Sequence, residues 1–102
     1  MSKEKLKKSI RLAIANDPHK QDILKVSLFG SYAYGKPKAN SDVDLLIEFK
    51  PKAVVGYFKL VRIQRHLSEQ LNKKVDLLTP GAISKYIKDS VINNAELIYE
   101  RR

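Results

Sequence analysis

The chain contains no cysteine, which excludes disulfides, thiolate zinc sites and thiol nucleophiles. It has no apolar run long enough to span a bilayer and no apolar segment at its basic N-terminus, so neither a membrane span nor a secretory leader is expected. A cytoplasmic location fits these absences. Glycine and proline are scarce, four of each in 102 residues, and they are dispersed. No linker, repeat or low-complexity segment results, and one domain over residues 1–102 is the expectation. The two histidines, His19 and His66, lack metal-ligand spacing and read as surface residues. Acids are outnumbered as well: eleven Asp and Glu stand against twenty Lys and Arg, for a net charge of +9. That field attracts nucleotides, nucleic acid or an acidic protein partner, while a lysine-rich surface serving solubility accounts for it equally well. Where acids cluster in so basic a chain, the cluster is informative.

Apolar residues make up 43% of the sequence, enough for a small core. Leu6, Ile10, Ala13 and Ile14 recur at helical spacing in Ser2–Asn16, an amphipathic helix capped by Ser2 and ended by Asp17-Pro18. Val26–Phe29 reads as a buried strand, stopped by Gly30. A second strand is expected over Val43–Phe49. A helix over Tyr57–Leu71 follows, with Phe58, Val61, Ile63, Leu67 and Leu71 on its apolar face, and then a third strand over Val75–Leu78. Thr79-Pro80 opens a further helix through Ala82, Ile83, Tyr86, Ile87 and Val91, ended by Asn93-Asn94. Glu96–Tyr99 forms a last strand. The pattern alternates helix and strand, an α/β (α+β) class.

The chemistry concentrates in two places. Gly30 lets the backbone approach a ligand closely, and Ser31 adds a hydroxyl and an amide at the start of a short helical turn that Gly35 closes. Unpaired amides at a helix start favour phosphate. Ten residues later comes Asp42-Val43-Asp44. Residues two apart in a strand share a face, so the two carboxylates project together. Their repulsion raises one pKa unless a cation neutralises them, and an all-oxygen donor set suits magnesium carrying substrate phosphates. Should Val75–Leu78 pair beside this strand, Asp76 reaches the same cluster and can accept a proton from an attacking hydroxyl. Tyr32 and Tyr34 flank the turn and either stack on a base or pack over the turn. Gly30 to Lys36 also matches the first seven positions of a P-loop, but Pro37 stands where Ser or Thr must bind magnesium. The following residues read as a loop instead of a long helix, so this motif is rejected.

Gly30-Ser31, the ten-residue spacer and Asp42-x-Asp44 resemble the minimal nucleotidyltransferase family, small members of the DNA polymerase beta-like superfamily that include MntA-type antitoxins. The resemblance runs along nearly the whole chain. It implies a small mixed β-sheet with helices packed on it, Gly30 and Ser31 as the nucleotide-binding turn, and Asp42, Asp44 and Asp76 as catalytic ligands of two magnesium ions. It further implies transfer of AMP from ATP to a hydroxyl, a tyrosine of a HEPN-domain toxin partner, with the chain as antitoxin. One departure stands out: family members often carry a basic residue before the second glycine, where this chain has Tyr34. Lys36 and Lys38 are the nearby candidates to compensate.

Two other functions compete with the enzyme. The same fold can act as a binding module that neutralises a partner by stoichiometric contact, or as a small basic nucleic-acid binder with strongly salt-dependent affinity. No further domain for gripping an acceptor is evident, so an external partner is expected to bring it. A homodimer would suit so small a core, although no seam is obvious.

Overall fold

The structure, a computed structural model, describes residues 2–35 and 41–101, with the backbone but not the side chain of Tyr34. Helix α1 spans Lys3–Ala15; the Ser2 hydroxyl caps it by accepting from the Lys5 amide at 3.2 Å, and Glu4 sits in its first turn. Both features favour the positive end of the helix dipole. Leu6, Ile10, Ala13 and Ile14 form its buried stripe, as the spacing required. Asp17 folds back beyond the helix, its carboxylate accepting from the His19 amide at 2.7 Å.

Strand β1 runs Ile23–Phe29, three residues earlier than the apolar run indicated. Lys25 masked the start. In the sheet that lysine is the register partner of Glu48, and its amine lies 4.0 Å from the Glu48 carboxylate, so an opposite charge across the ladder accommodates it. A four-residue helix, α2, covers Ser31–Tyr34. Strand β2 is Val43–Phe49, helix α3 is Tyr57–Leu71 and strand β3 is Val75–Leu78, all with the expected bounds. Asn72 ends α3 in the left-handed region at φ 52°, which asparagine tolerates better than most residues. The α3 face is narrower than its sequence suggested: Ile63, Leu67 and Leu71 are buried, whereas Phe58 is exposed.

The expected helix after Thr79-Pro80 is broken. A single 3-10 turn covers Pro80–Ala82, Ile83 is extended, and helix α4 is confined to Lys88–Asn94. Of the apolar residues assigned to that helix, Ile83 and Val91 are buried, while Ala82, Tyr86 and Ile87 face solvent. Two anchors without a continuous buried stripe do not offset the poor helix propensity of Gly81 and Ser84. Strand β4, Glu96–Glu100, closes the chain's last turn onto β1.

The sheet order is β3-β2-β1-β4, with β1 antiparallel to both β2 and β4, and β2 parallel to β3. The mixed sheet of the α/β expectation is therefore present. Its main core lies on one face, where α1 and α3 pack against Val26, Leu28, Val43, Leu45, Ile47, Val75 and Leu77. A much smaller cluster, Leu46 with Ile83 and Val91, joined by Phe29 and Leu78, occupies the other face. Helix side chains occupy both outer edges. Ser68 and Gln64 of α3 accept from the Val75 and Leu77 amides at 3.2 and 3.1 Å, and Arg11 of α1 donates to the Ile98 carbonyl at 2.9 Å. Edge groups that would otherwise invite another strand are thus engaged, and β3 is held in register. His66, expected at the surface, is partly buried, with a ring nitrogen 3.3 Å from the Ala13 carbonyl between α1 and α3.

Candidate active site

Sequence alternation along β2 decides where the carboxylates go. Val43, Leu45 and Ile47 are fully buried toward α1 and α3. Asp44 alternates with them and shares the opposite face with Leu46, and Asp42 leads into the strand on that side. The parallel pairing of β2 with β3 makes Asp44 the register partner of Asp76. Antiparallel pairing sets Phe29, the last residue of β1, opposite Asp44. The end of β1 and the starts of β2 and β3 therefore meet at one end of the sheet, and with them Gly30, Asp42, Asp44 and Asp76.

Gly30 is required there twice over. Its φ of +74° is a conformation that L side chains rarely adopt, and a Cβ at this position would collide with the Asp44 carboxylate. The turn is closed by bonds from Ala33 N–H to the Gly30 carbonyl at 3.1 Å and from Gly35 N–H to the Ser31 carbonyl at 2.9 Å. A further tie comes from α1, where the Lys3 amine donates to the Ala33 carbonyl at 2.7 Å and contacts Glu96 at 3.2 Å. The Ser31 and Tyr32 amides, at the start of α2, have no intrahelical partner in so short a helix.

The carboxylates of Asp76 and Asp42 act electrostatically on that of Asp44. Burial pushes the Asp44 carboxyl above its ordinary range, and the charges of Asp76 and then Asp42 push it further. Asp42 leans toward Lys74, whose amine is 3.7 Å from its carboxylate. Among the described residues no group of three acidic, histidine or cysteine side chains stands in ready metal-binding geometry. The donor chemistry still fits magnesium, which keeps several waters and uses few protein ligands.

Gly30, Ser31, Asp42, Asp44 and Asp76 therefore lie at this end of the sheet. Tyr32 packs against the main core, with the Lys73 amine 5.7 Å from its ring centroid, so packing describes it better than an open stacking surface. Lys36, Lys38 and the loop that argued against a P-loop lie outside the described residues, as does the Tyr34 side chain. Strand β2 begins at Val43, which leaves no room after Gly35-Lys36 for the long helix a P-loop requires. Sequence reasoning passed over Lys74, taken only as part of a helix stop. Its position two residues before Asp76 was the available signal, because alternation puts both on one face.

The model of the family "Polymerase beta, Nucleotidyltransferase" matches residues 6–102. A Methanocaldococcus jannaschii protein provisionally named a protein adenylyltransferase is 40% identical over 77 residues, which cover 74% of this chain and 80% of that protein. The protein adenylyltransferase MntA of Thermococcus cleftensis is 29% identical over 77 residues, 76% of this chain and 74% of that one. Solved structures share the fold. A minimal nucleotidyltransferase superposes with a TM-score of 0.75 at 23% identity, covering 93% of this chain and 94% of its own. A toxin–antitoxin structure with AMP-PNP gives 0.69 at 22%, covering 100% and 76%. The complex of a tri-AMPylated Shewanella oneidensis HEPN toxin with its MNT antitoxin gives 0.59 at 18%, covering 97% and 70%. With almost its whole length matched, the chain belongs to the polymerase beta nucleotidyltransferases.

Proposed function

We propose that this nucleotidyltransferase is a magnesium-dependent protein adenylyltransferase that moves AMP from ATP to a tyrosine hydroxyl of a HEPN-type toxin, and so acts as an antitoxin. The observation that carries the reading is the register pairing of Asp44 with Asp76, directly beside a glycine whose missing side chain leaves room for the Asp44 carboxylate. The relatives named as protein adenylyltransferases supply the reaction class, and the AMPylated toxin bound to a neighbour of the same fold supplies the acceptor class.

Asp42, Asp44 and Asp76 would hold magnesium, two ions by the family's pattern. When bound, magnesium offsets the carboxylate repulsion and the charge of the triphosphate. The Ser31 hydroxyl and the first α2 amides orient the outer phosphates. Asp76 accepts the proton of the acceptor hydroxyl as its oxygen bonds to the α-phosphorus. The bond from that phosphorus to the bridging oxygen breaks, and pyrophosphate leaves with the bonding electron pair. The protein's work is positioning and electrostatic stabilisation.

Calorimetric titration of ATP with magnesium into the wild type and into Asp42→Asn/Asp44→Asn tests the site. Binding that needs magnesium and disappears in the double variant is expected; equal binding by both would remove the carboxylates from the nucleotide site. A second reading is favoured by Tyr34, which stands where the family often has a cation: neutralisation by contact alone. Asp44→Asn separates the two in cells. Full neutralisation of a cognate toxin at equal expression would move the contact reading ahead.

A further inference from the structure

Resting on that reading of the nucleotide site, we propose that the cleft at the C-terminal end of α3 anchors the acceptor through acidic residues flanking its reactive hydroxyl. The cleft is shallow and widely open to solvent, about 480 Å³ in volume, and is lined by Arg65, Ser68, Glu69, Asn72, Lys73 and Lys74. Three of these side chains are cationic and one is anionic. Neither Arg65 nor Lys73 has a carboxylate partner among the described residues; Lys73 rests over the Tyr32 ring instead. Lys74 joins the cleft to the site, since it lines the one and approaches Asp42 of the other.

The placement of the cleft favours the acceptor over the triphosphate as its occupant. The phosphate turn follows β1, whereas most of the cleft lies on α3 and the turn into β3, with Lys73 reaching the Tyr32 ring of α2. In-line transfer places attacking and leaving oxygens on opposite sides of the α-phosphorus. A pyrophosphate held at Gly30 and Ser31 therefore sets the attacking hydroxyl toward Asp76 and Lys74. A lysine side chain bridges from the cleft to Asp42, a reach that an extended peptide covers in about two to four residues at roughly 3.3 Å each. Acidic residues at that distance from the acceptor would meet Arg65 and Lys73 while the hydroxyl lies beside Asp76. A nucleic acid fits the cleft less well. Its lining has no aromatic side chain for a base to stack on, and Glu69 would face the phosphates.

The test measures binding of fluorescein-labelled tyrosine peptides by anisotropy, with acidic, neutral or basic flanks, to wild type and to Arg65→Glu/Lys73→Glu. A circular-dichroism melt of the variant accompanies it, and Arg65→Gln/Lys73→Gln serves as the milder pair should reversal unfold the chain. The acidic peptide is expected to bind at least about tenfold tighter than the neutral one at low salt, and the variants to lose that preference while still binding magnesium-ATP as wild type does. Equal affinity for all peptides would overturn the proposal, as would a preference that survives in folded variants. Tighter binding of single-stranded RNA at this cleft, or weakened ATP binding in the variants, would give it a different occupant. Peptide binding needs no ATP, so absence of magnesium-ATP binding in wild type would defeat the nucleotide reading separately.

Discussion

The two faces of this sheet carry opposite burdens, and β2 contributes to both. Toward α1 and α3 it presents Val43, Leu45 and Ile47, all at 0% exposure in the main core. Toward the other face it presents Asp44 and Leu46, with Ile83 and Val91 as buried cover among the described residues. Full burial of such side chains is worth roughly 1.5–3 kcal/mol each, so the helix-covered face supplies most of the hydrophobic stabilisation. The opposite face pays an electrostatic cost instead, because its carboxylates repel and one is partly desolvated. A one-residue step along the strand separates the residue that holds the fold from the residue proposed to do the chemistry. A small domain can keep a site without weakening its core when the two lie on opposite sides of one strand.

Substitutions should therefore sort by face. The largest effect is expected from Asp44→Asn, which should lower AMP transfer by about a thousandfold, some 4 kcal/mol of transition-state stabilisation, without lowering the melting temperature. Transfer to a tyrosine-containing acceptor, followed by radiolabel from ATP, checks the first half and a calorimetric melt the second. A destabilised Asp44→Asn would blur the division. Leu45→Ala, one residue away, should do the reverse. A loss of about 2–5 kcal/mol in stability is expected from denaturant unfolding, with magnesium-ATP affinity unchanged wherever the protein is still folded.

Gly30→Ala should fall between these, because the residue belongs to the turn joining the two faces. The left-handed region costs a non-glycine residue about 1–2 kcal/mol, and the added methyl must displace the Asp44 carboxylate. Both stability and nucleotide affinity should drop, by unfolding and by titration respectively. Nucleotide binding at wild-type strength would mean that the turn does not position the carboxylate. On the thinly covered face, Val91→Ala should cost only about 1 kcal/mol, since its partners there are few. A loss as large as that of Leu45→Ala would show that this face contributes more to stability than its burial indicates.

How much of this was legible beforehand follows the same division. β2, α3 and β3 could be bounded from sequence because their ends coincide with a break in apolar pattern or with asparagine and lysine. The carboxylates could be read because Asp-Val-Asp has no structural reason to open a buried strand. Two features resisted. The start of β1 was hidden by Lys25, whose partner Glu48 is twenty-three positions away in the chain and becomes visible only through the sheet register. The helix expected after Pro80 failed because periodic apolar residues imply a helix only where something covers them, and Tyr86 and Ile87 are left uncovered. Local pattern was reliable on the face where the core enforces it, and misleading on the face where cover is thin. Lys74 was missed because alternation places it on the face of Asp76 but does not record its approach to Asp42, which crosses from the start of β3 to the start of β2.

The smallest expected effect tests the electrostatic cost directly. Asp44 is held above its ordinary 3.8 by burial first, then by Asp76 and Asp42, so the folded chain binds this proton more tightly than the unfolded chain. Protonation of Asp44 thus contributes stability that is fully present below the unfolded value and lost as pH rises through the folded one. At neutral pH the wild type bears the whole penalty of the ionised group, and Asp44→Asn bears none. In chelator, the variant should melt above the wild type at neutral pH. That advantage should shrink as pH falls through the folded value and vanish toward 3.8. Magnesium should close the gap from the other side, raising the wild type and leaving the variant in place. A difference that stays constant across this range would mean that the gain comes from packing of the amide, and that the carboxylates of this face do not strain one another.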